Sequence, residues 1–250
     1  MAEKIKYGFG VRQFGKTPRT FEQEVEFAKI NGFDFLQVFY FSKKGLEMIP
    51  PGKGIERIRK ANFPVIIHAG FEPREFQKQI PKVVNIIDEL GGGEVIIHPW
   101  NPTGRPESSF SVLIQEMAVA RDIFEDKGIK VYVENNSEKD SILIEPEEIK
   151  EFFGQFPEME LLLDIGHMVS FEKTKAIAKV KLPALLHMSD RDLNGPPNHL
   201  PIGKGNIDFK RVIGEILPDF QGKIILEVTE SDEAIINSKK IIEYMLSNNY

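Results

Sequence analysis

Short apolar runs recur along the chain, and each closes on an ionisable residue. They read Pro64-Val-Ile-Ile-His68, Glu94-Val-Ile-Ile-His98, Lys130-Val-Tyr-Val-Glu134, Glu160-Leu-Leu-Leu-Asp164, Ala184-Leu-Leu-His187 and Lys223-Ile-Ile-Leu-Glu227. The runs are apolar throughout rather than alternating, which is the pattern of parallel strands buried on both faces. With two further runs nearer the N-terminus, the pattern predicts eight strands: Lys6 to Val11, Phe35 to Phe39, Val65 to His68, Val95 to His98, Lys130 to Glu134, Glu160 to Asp164, Leu185 to Met188 and Lys223 to Val228.

Helical periodicity fills the gaps. Thr20 can cap a first helix and Gln23 completes a capping box; Phe21, Val25 and Ala28 then share one apolar face before Asn31-Gly32 stops it. A later helix starts near Ser108-Ser109, turns Val112, Leu113, Met117 and Ala120 inward, and ends at Lys127-Gly128. Pro146 suits a first helical turn, with Glu147 and Glu148 at the positive end of the dipole. The last helix follows Ser231-Asp232 and presents Ile235, Ile242, Met245 and Leu246 to its neighbours. Strand-helix alternation with right-handed crossovers predicts an α/β protein, a single (β/α)8 TIM barrel over residues 1–250. A doubly wound open sheet shares that alternation. Gly91-Gly92-Gly93 reads as a helix end, and the longest loops are Trp100 to Glu107 and Asp190 to Asn206.

Strands of a parallel barrel all end at one rim, so residues far apart in sequence converge on one mouth. All five histidines, His68, His98, His167, His187 and His199, lie at or just beyond the ends of apolar runs, and Glu134, Asp164 and Glu227 share that position. Imidazoles and carboxylates gathered in this way are divalent-metal ligands. Taken singly, a strand-end histidine also serves as a hydrogen-bonded structural residue, a rim glutamate as a salt-bridge partner, and Asp164 or Asp190 as a turn cap. Glu134 and Glu227 end apolar runs, where an unpaired carboxylate is costly to bury; each needs a cation, a donor or a raised pKa. Trp100 follows His98 by two residues and can wall a sugar ring or simply pack.

Composition narrows the chemistry. A net charge of -6 and a pI near 5.5 give no global positive field for nucleic acid or an anionic membrane. The chain has no cysteine, which excludes disulfides, thiolate zinc and a cysteine nucleophile, and restricts any metal site to nitrogen and oxygen ligands. Zinc, manganese, magnesium or cobalt suits such a site. Gly203-Lys204-Gly205 lacks the upstream glycine and the Ser/Thr of a phosphate loop, so no nucleotide cofactor is expected. No apolar signal core opens the chain and no uncharged stretch is long enough to span a membrane, so the expectation is a soluble, unprocessed, cytoplasmic protein.

The motifs resemble the xylose isomerase-like barrel superfamily, which contains sugar isomerases, epimerases and endonuclease IV. The resemblance rests on His98-Pro99, Glu134-Asn135, Asp164-Ile-Gly-His167, His187-Met-Ser-Asp190, His199-Leu-Pro-Ile-Gly203-Lys-Gly205-Asn-Ile-Asp208 and Ile225-Leu-Glu227, and it covers nearly the whole chain. It implies that Glu134, Asp164, His187 and Glu227 surround one divalent ion, and that Glu134 and Glu227 double as acid and base in an enediolate proton transfer on a small sugar or sugar-like hydroxy-carbonyl compound. His167 and Arg191 would contact substrate oxygens, with His199 and Trp100 also at the substrate. The expected partner is a small polyol or sugar, free or phosphorylated, and barrels of this kind often form homo-oligomers. The endonuclease IV branch adds His68 and His98 to a first zinc bridged by Glu134, and His167, an aspartate and His199 to a third. Here the aspartate two residues before His199 is replaced by Pro197, which cannot ligate a metal. Cleavage of abasic DNA is therefore the alternative, with a dehydratase or a non-catalytic binding barrel behind it.

Overall fold

The structure, a computed structural model, describes residues 5–10, 19–41, 53–101, 103–195, 199–218 and 220–248. Its strands are β1 (Lys6–Gly10), β2 (Phe35–Phe41), β3 (Val65–Phe71), β4 (Glu94–Pro99), β5 (Lys130–Glu134), β6 (Glu160–Asp164), β7 (Pro183–Met188) and β8 (Lys223–Leu226). All pair in parallel, in sequence order, and β1 pairs with β8 through Tyr7 and Ile224, which closes the barrel and excludes the open sheet. The helices are α1 (Phe21–Ile30), α2 (Lys53–Ala61), α3 (Phe76–Glu89), α4 (Phe110–Asp126), α5 (Pro146–Gln155), α6 (Phe171–Val180), α7 (Phe209–Arg211, continued by a π-turn at Val212–Ile216) and α8 (Asp232–Ser247). Among the described residues no helix is long and apolar enough to cross a membrane.

Local chemistry sets the boundaries. Thr20 and Gln23 form the reciprocal capping box, and Phe21, Val25 and Ala28 are buried. In α4, Leu113, Met117 and Ala120 are buried while Val112 is half-buried; in α8, Ser231 caps and Ile235, Ile242 and Met245 pack inward. Gly91, Gly92 and Gly93 take φ of 91°, 97° and 156° in the turn between α3 and β4. Strands β2 and β3 run past their predicted ends because the ladder continues, Phe41 pairing with Gly70 and Gly70 with His98. Strand β8 instead stops at Leu226, so Val228 lies outside it and Glu227 sits just beyond its end, donating its N–H to the Met188 carbonyl at 3.2 Å. Val11, the predicted end of β1, lies outside the described residues.

Because side chains alternate along a strand, every second residue enters the barrel. Phe35, Ile66, Ile96, Tyr132, Leu162, Leu185 and Ile225 form one buried apolar cluster across it, and fully burying a side chain of this size stabilises by roughly 1.5–3 kcal/mol. Two residues further along each of these seven strands, on the same side, come Gln37, His68, His98, Glu134, Asp164, His187 and Glu227. An apolar layer thus lies directly beneath a polar one. Strand β1 supplies no side chain to either, because Gly8 and Gly10 occupy its inward positions; a Cβ at Gly8 would strike the Phe35 ring.

Candidate metal centre

Glu134 lies at the middle of the polar layer. Its Oε2 is 3.2 Å from both His68 Nε2 and His98 Nδ1, and its Oε1 is 3.2 Å from His187 Nδ1. The same His187 nitrogen faces Glu227 Oε1 at 3.5 Å and Asp164 Oδ2 at 3.6 Å. Three sets of donor atoms each fall within 4.8 Å of one another: His68, His98 and Glu134; His68, His187 and Glu227; and Glu134, Asp164 and His187. The six residues named above as candidate ligands are therefore gathered in one place.

The donor set fits a divalent cation. Asp164 Oδ2, Glu134 Oε2, His68 Nδ1 and His98 Nε2 are buried without a hydrogen-bond partner. Leaving such atoms unsatisfied costs about 1–3 kcal/mol apiece, and more for a charged group. A cation bound among nitrogen and oxygen lone pairs removes that cost for the atoms that ligate it.

Electrostatics follow from the crowding. Burial alone would raise Glu134, but the imidazoles of His98, His187 and His68 override it and hold the carboxyl well below the usual range. Glu227 is likewise lowered to about 2, burial being outweighed by His187, His199 and His68. In His187 burial is outweighed by Glu227 and Glu134, which lift it well above the usual imidazole value; in His167 it is outweighed by Asp164 and Glu134, which raise it. Burial lowers His98.

Asp164 serves two purposes at once. Its Oδ1 accepts the His167 N–H at 3.2 Å and caps the turn, while Oδ2 accepts no hydrogen bond and faces the imidazoles of His167 at 3.3 Å and His187 at 3.6 Å. Asn135 fixes both residues, its Oδ1 accepting the Asp164 N–H at 2.7 Å and its carbonyl lying 3.0 Å from His167 Nδ1. A side chain at Gly166 would collide with the Ser189 hydroxyl, so the turn takes glycine.

His199 falls in the predicted Asp190 to Asn206 loop and not at the end of a strand. It lies in the β7–α7 loop with its side chain 44% exposed, because that loop folds back through an antiparallel bridge between Asp190 and Leu200. This brings its Nδ1 to 3.6 Å from Glu227 Oε2 and 3.3 Å from Ser189 Oγ. Asp190 is the loop's anchor: Oδ2 accepts the N–H groups of Gly203 and Gly205, and Oδ1 those of Arg191 and Ile207. The Gly203 and Gly205 amides are therefore occupied by a carboxylate and that of Lys204 by the Pro201 carbonyl, in keeping with a turn. Arg191 is buried, donates Nη1 to the Gly166 carbonyl at 3.3 Å and leaves Nε unpartnered. Trp100 is 36% exposed and 6.4 Å from the Phe41 ring, which stacks on Phe39, whose ring is in turn 5.1 Å from His68. Pro197 lies outside the described residues.

Gln37 is a site residue absent from the candidate ligands and contacts. It is fully buried and bridges His187 and Glu227; the available signal is an amide at an inward position of an otherwise apolar run.

A closed parallel barrel with imidazoles and carboxylates converging at its mouth defines a (β/α)8 barrel with a candidate metal site. The chain belongs to the xylose isomerase-like TIM barrel family, whose sequence profile matches residues 25–246. It is 24% identical to the uncharacterized protein MJ1311 of Methanocaldococcus jannaschii over 270 aligned positions, covering 95% of this chain and 89% of that one. Among solved structures it is similar to a D-tagatose 3-epimerase-like protein, at 22% identity and a TM-score of 0.74 over 98% of both chains. It is also similar to the IolI protein with a bound zinc atom, at 15% identity and a TM-score of 0.76 over 98% of this chain and 99% of that one. At these identities the likeness to the solved structures is one of fold.

Proposed function

We propose that the protein is a divalent-metal-dependent isomerase or epimerase of a small sugar or sugar-like hydroxy-carbonyl compound. The observation that carries this reading is a pair of glutamates, Glu134 buried and Glu227 half-buried, facing a common imidazole beside Asp164 Oδ2, a buried oxygen that accepts no hydrogen bond. The neighbour named for D-tagatose 3-epimerase supports the reaction class, and the zinc of IolI supports the metal. Glu134, Asp164, His187 and Glu227 would hold the ion, which when bound supplies a Lewis acid for the carbonyl oxygen and so makes the neighbouring C–H more acidic. Glu227, the more exposed of the two glutamates, takes that proton, and Glu134 is the second group able to carry one. His167 and the free Nε of Arg191 bind substrate oxygens, and Trp100 with the Phe39 and Phe41 rings lines the side of the mouth next to His68.

A second reading has its own support. His68, His98 and Glu134 form a further donor set that shares Glu134 with the first; it would hold a second ion beside the first and suit hydrolysis of a phosphodiester, as in endonuclease IV. Metal analysis and solvent exchange separate the two. Incubation with ketohexoses in D2O is expected to place deuterium on the carbon beside the carbonyl, with one ion per chain and with loss of exchange in Glu227→Gln. Two zinc ions per chain with incision of an abasic oligonucleotide, and no exchange, would overturn the first reading.

A further inference from the structure

The Gln37 side chain joins two of the groups assigned above as ligands. One end of its amide lies 2.7 Å from Glu227 Oε1 and the other 2.7 Å from His187 Nε2. A carboxylate only accepts hydrogen bonds, so the end facing Glu227 is the NH2 group. The end facing His187 is therefore the carbonyl oxygen, which also only accepts, and His187 Nε2 must carry the hydrogen. The other ring nitrogen, Nδ1, is the one aimed at Glu134, Asp164 and Glu227. With Nε2 committed to Gln37, Nδ1, which lies 3.2 Å from Glu134 Oε1, is the nitrogen left to ligate an ion.

We propose that Gln37 is a positioning residue that holds His187 as the Nε2–H tautomer, directs its Nδ1 lone pair to the metal position and fixes the carboxylate of Glu227. The proposal rests on the metal-dependent reading above and adds to it the origin of the site's preorganisation. Other residue types at this position fail for identifiable reasons. Leucine would strand His187 Nε2 at a fully buried position and take from Glu227 Oε1 its hydrogen-bond donor. Glutamate would set a second carboxylate against Glu227. The inward direction of Gln37 follows from strand alternation, since Leu36 and Val38 on either side belong to the outer core under the helices.

The test is zinc affinity of the full chain, measured by competition with a chromophoric chelator for the wild type and for Gln37→Leu, with a circular dichroism melt to establish that the variant folds. Partners that orient a ligating histidine typically contribute 10–100-fold to metal affinity, so Gln37→Leu is expected to weaken zinc binding by roughly that factor. A folded variant with wild-type affinity would overturn the role of Gln37 and leave the metal reading intact; a wild type that binds no zinc would overturn both. A second measurement needs no variant. Long-range 1H–15N spectra of the zinc-loaded wild type are expected to show His187 protonated on Nε2 and not on Nδ1, and the reverse pattern would sink the proposal.

Discussion

Asp190→Asn tests whether one carboxylate holds the loop that carries Arg191 and His199 to the mouth. In the wild type, Oδ2 accepts from Gly203 N at 2.8 Å and Gly205 N at 2.9 Å, while Oδ1 accepts from Arg191 N at 2.8 Å and Ile207 N at 3.2 Å. Asparagine keeps one accepting oxygen but turns an NH2 group toward two N–H donors. Hydrogen bonds to a charged group contribute about 1.5–3 kcal/mol each, so the loss of two amounts to about 3–6 kcal/mol. Gly203 is exposed and regains water, which favours the lower end. If the loop melts with the barrel, about 3 kcal/mol lowers Tm by roughly 6–12 °C for a domain of this size. If it opens locally, the amides of Gly203, Gly205 and Ile207 exchange about a hundredfold faster, since each 1.4 kcal/mol is worth about a factor of ten. Thermal melts and amide exchange by NMR read the two cases separately. A variant with an unchanged Tm and unchanged exchange at these three amides would refute the anchoring role.

Three further outcomes are expected. Glu227 falls from an ordinary value of 4.5 to about 2 in the fold, so it adds stability above pH 4.5, about 3 kcal/mol in all, that disappears as pH drops toward 2; urea melts of the metal-free protein should show this loss, and Glu227→Gln should flatten it. Zinc should raise Tm in a concentration-dependent and chelator-reversible way, since free metal at about 100 times Kd stabilises by about 2.7 kcal/mol; because it displaces a proton from His187, whose pKa is raised, its affinity should climb with pH. Gly205→Ala should destabilise by about 1–3 kcal/mol, as its Cβ would land on the Arg191 carbonyl and Asp190 Oδ1, whereas Gly154→Ala, in α5 with open space around it, should stabilise by about 0.5–1 kcal/mol; chemical melts of the two variants check the contrast.

The barrel is legible in the sequence because its strands are unbroken apolar runs, and seven of them place a polar residue two positions beyond a floor residue. A reading by ligand chemistry finds the six imidazoles and carboxylates from β3 onward. It passes over Gln37, since an amide is a weak candidate ligand and its role depends on a partner 150 residues away. The place of His199 is hidden for a related reason: the Asp190–Leu200 bridge that returns it to the rim is a long-range pairing, while the local sequence shows only a loop. Strand ends are equally non-local. β3 extends to Phe71 because its neighbours do, and no residue within it announces the stop.

The apolar floor has a consequence for turnover. From the floor itself the Tyr132 hydroxyl donates to Glu94, and Lys223 pairs with the same carboxylate, so the apolar layer is backed by a polar cluster on the side away from the candidate site. On the proposed reading, reactant and product would share a single doorway above this floor, and a bulky product lingering there would obstruct the next arrival.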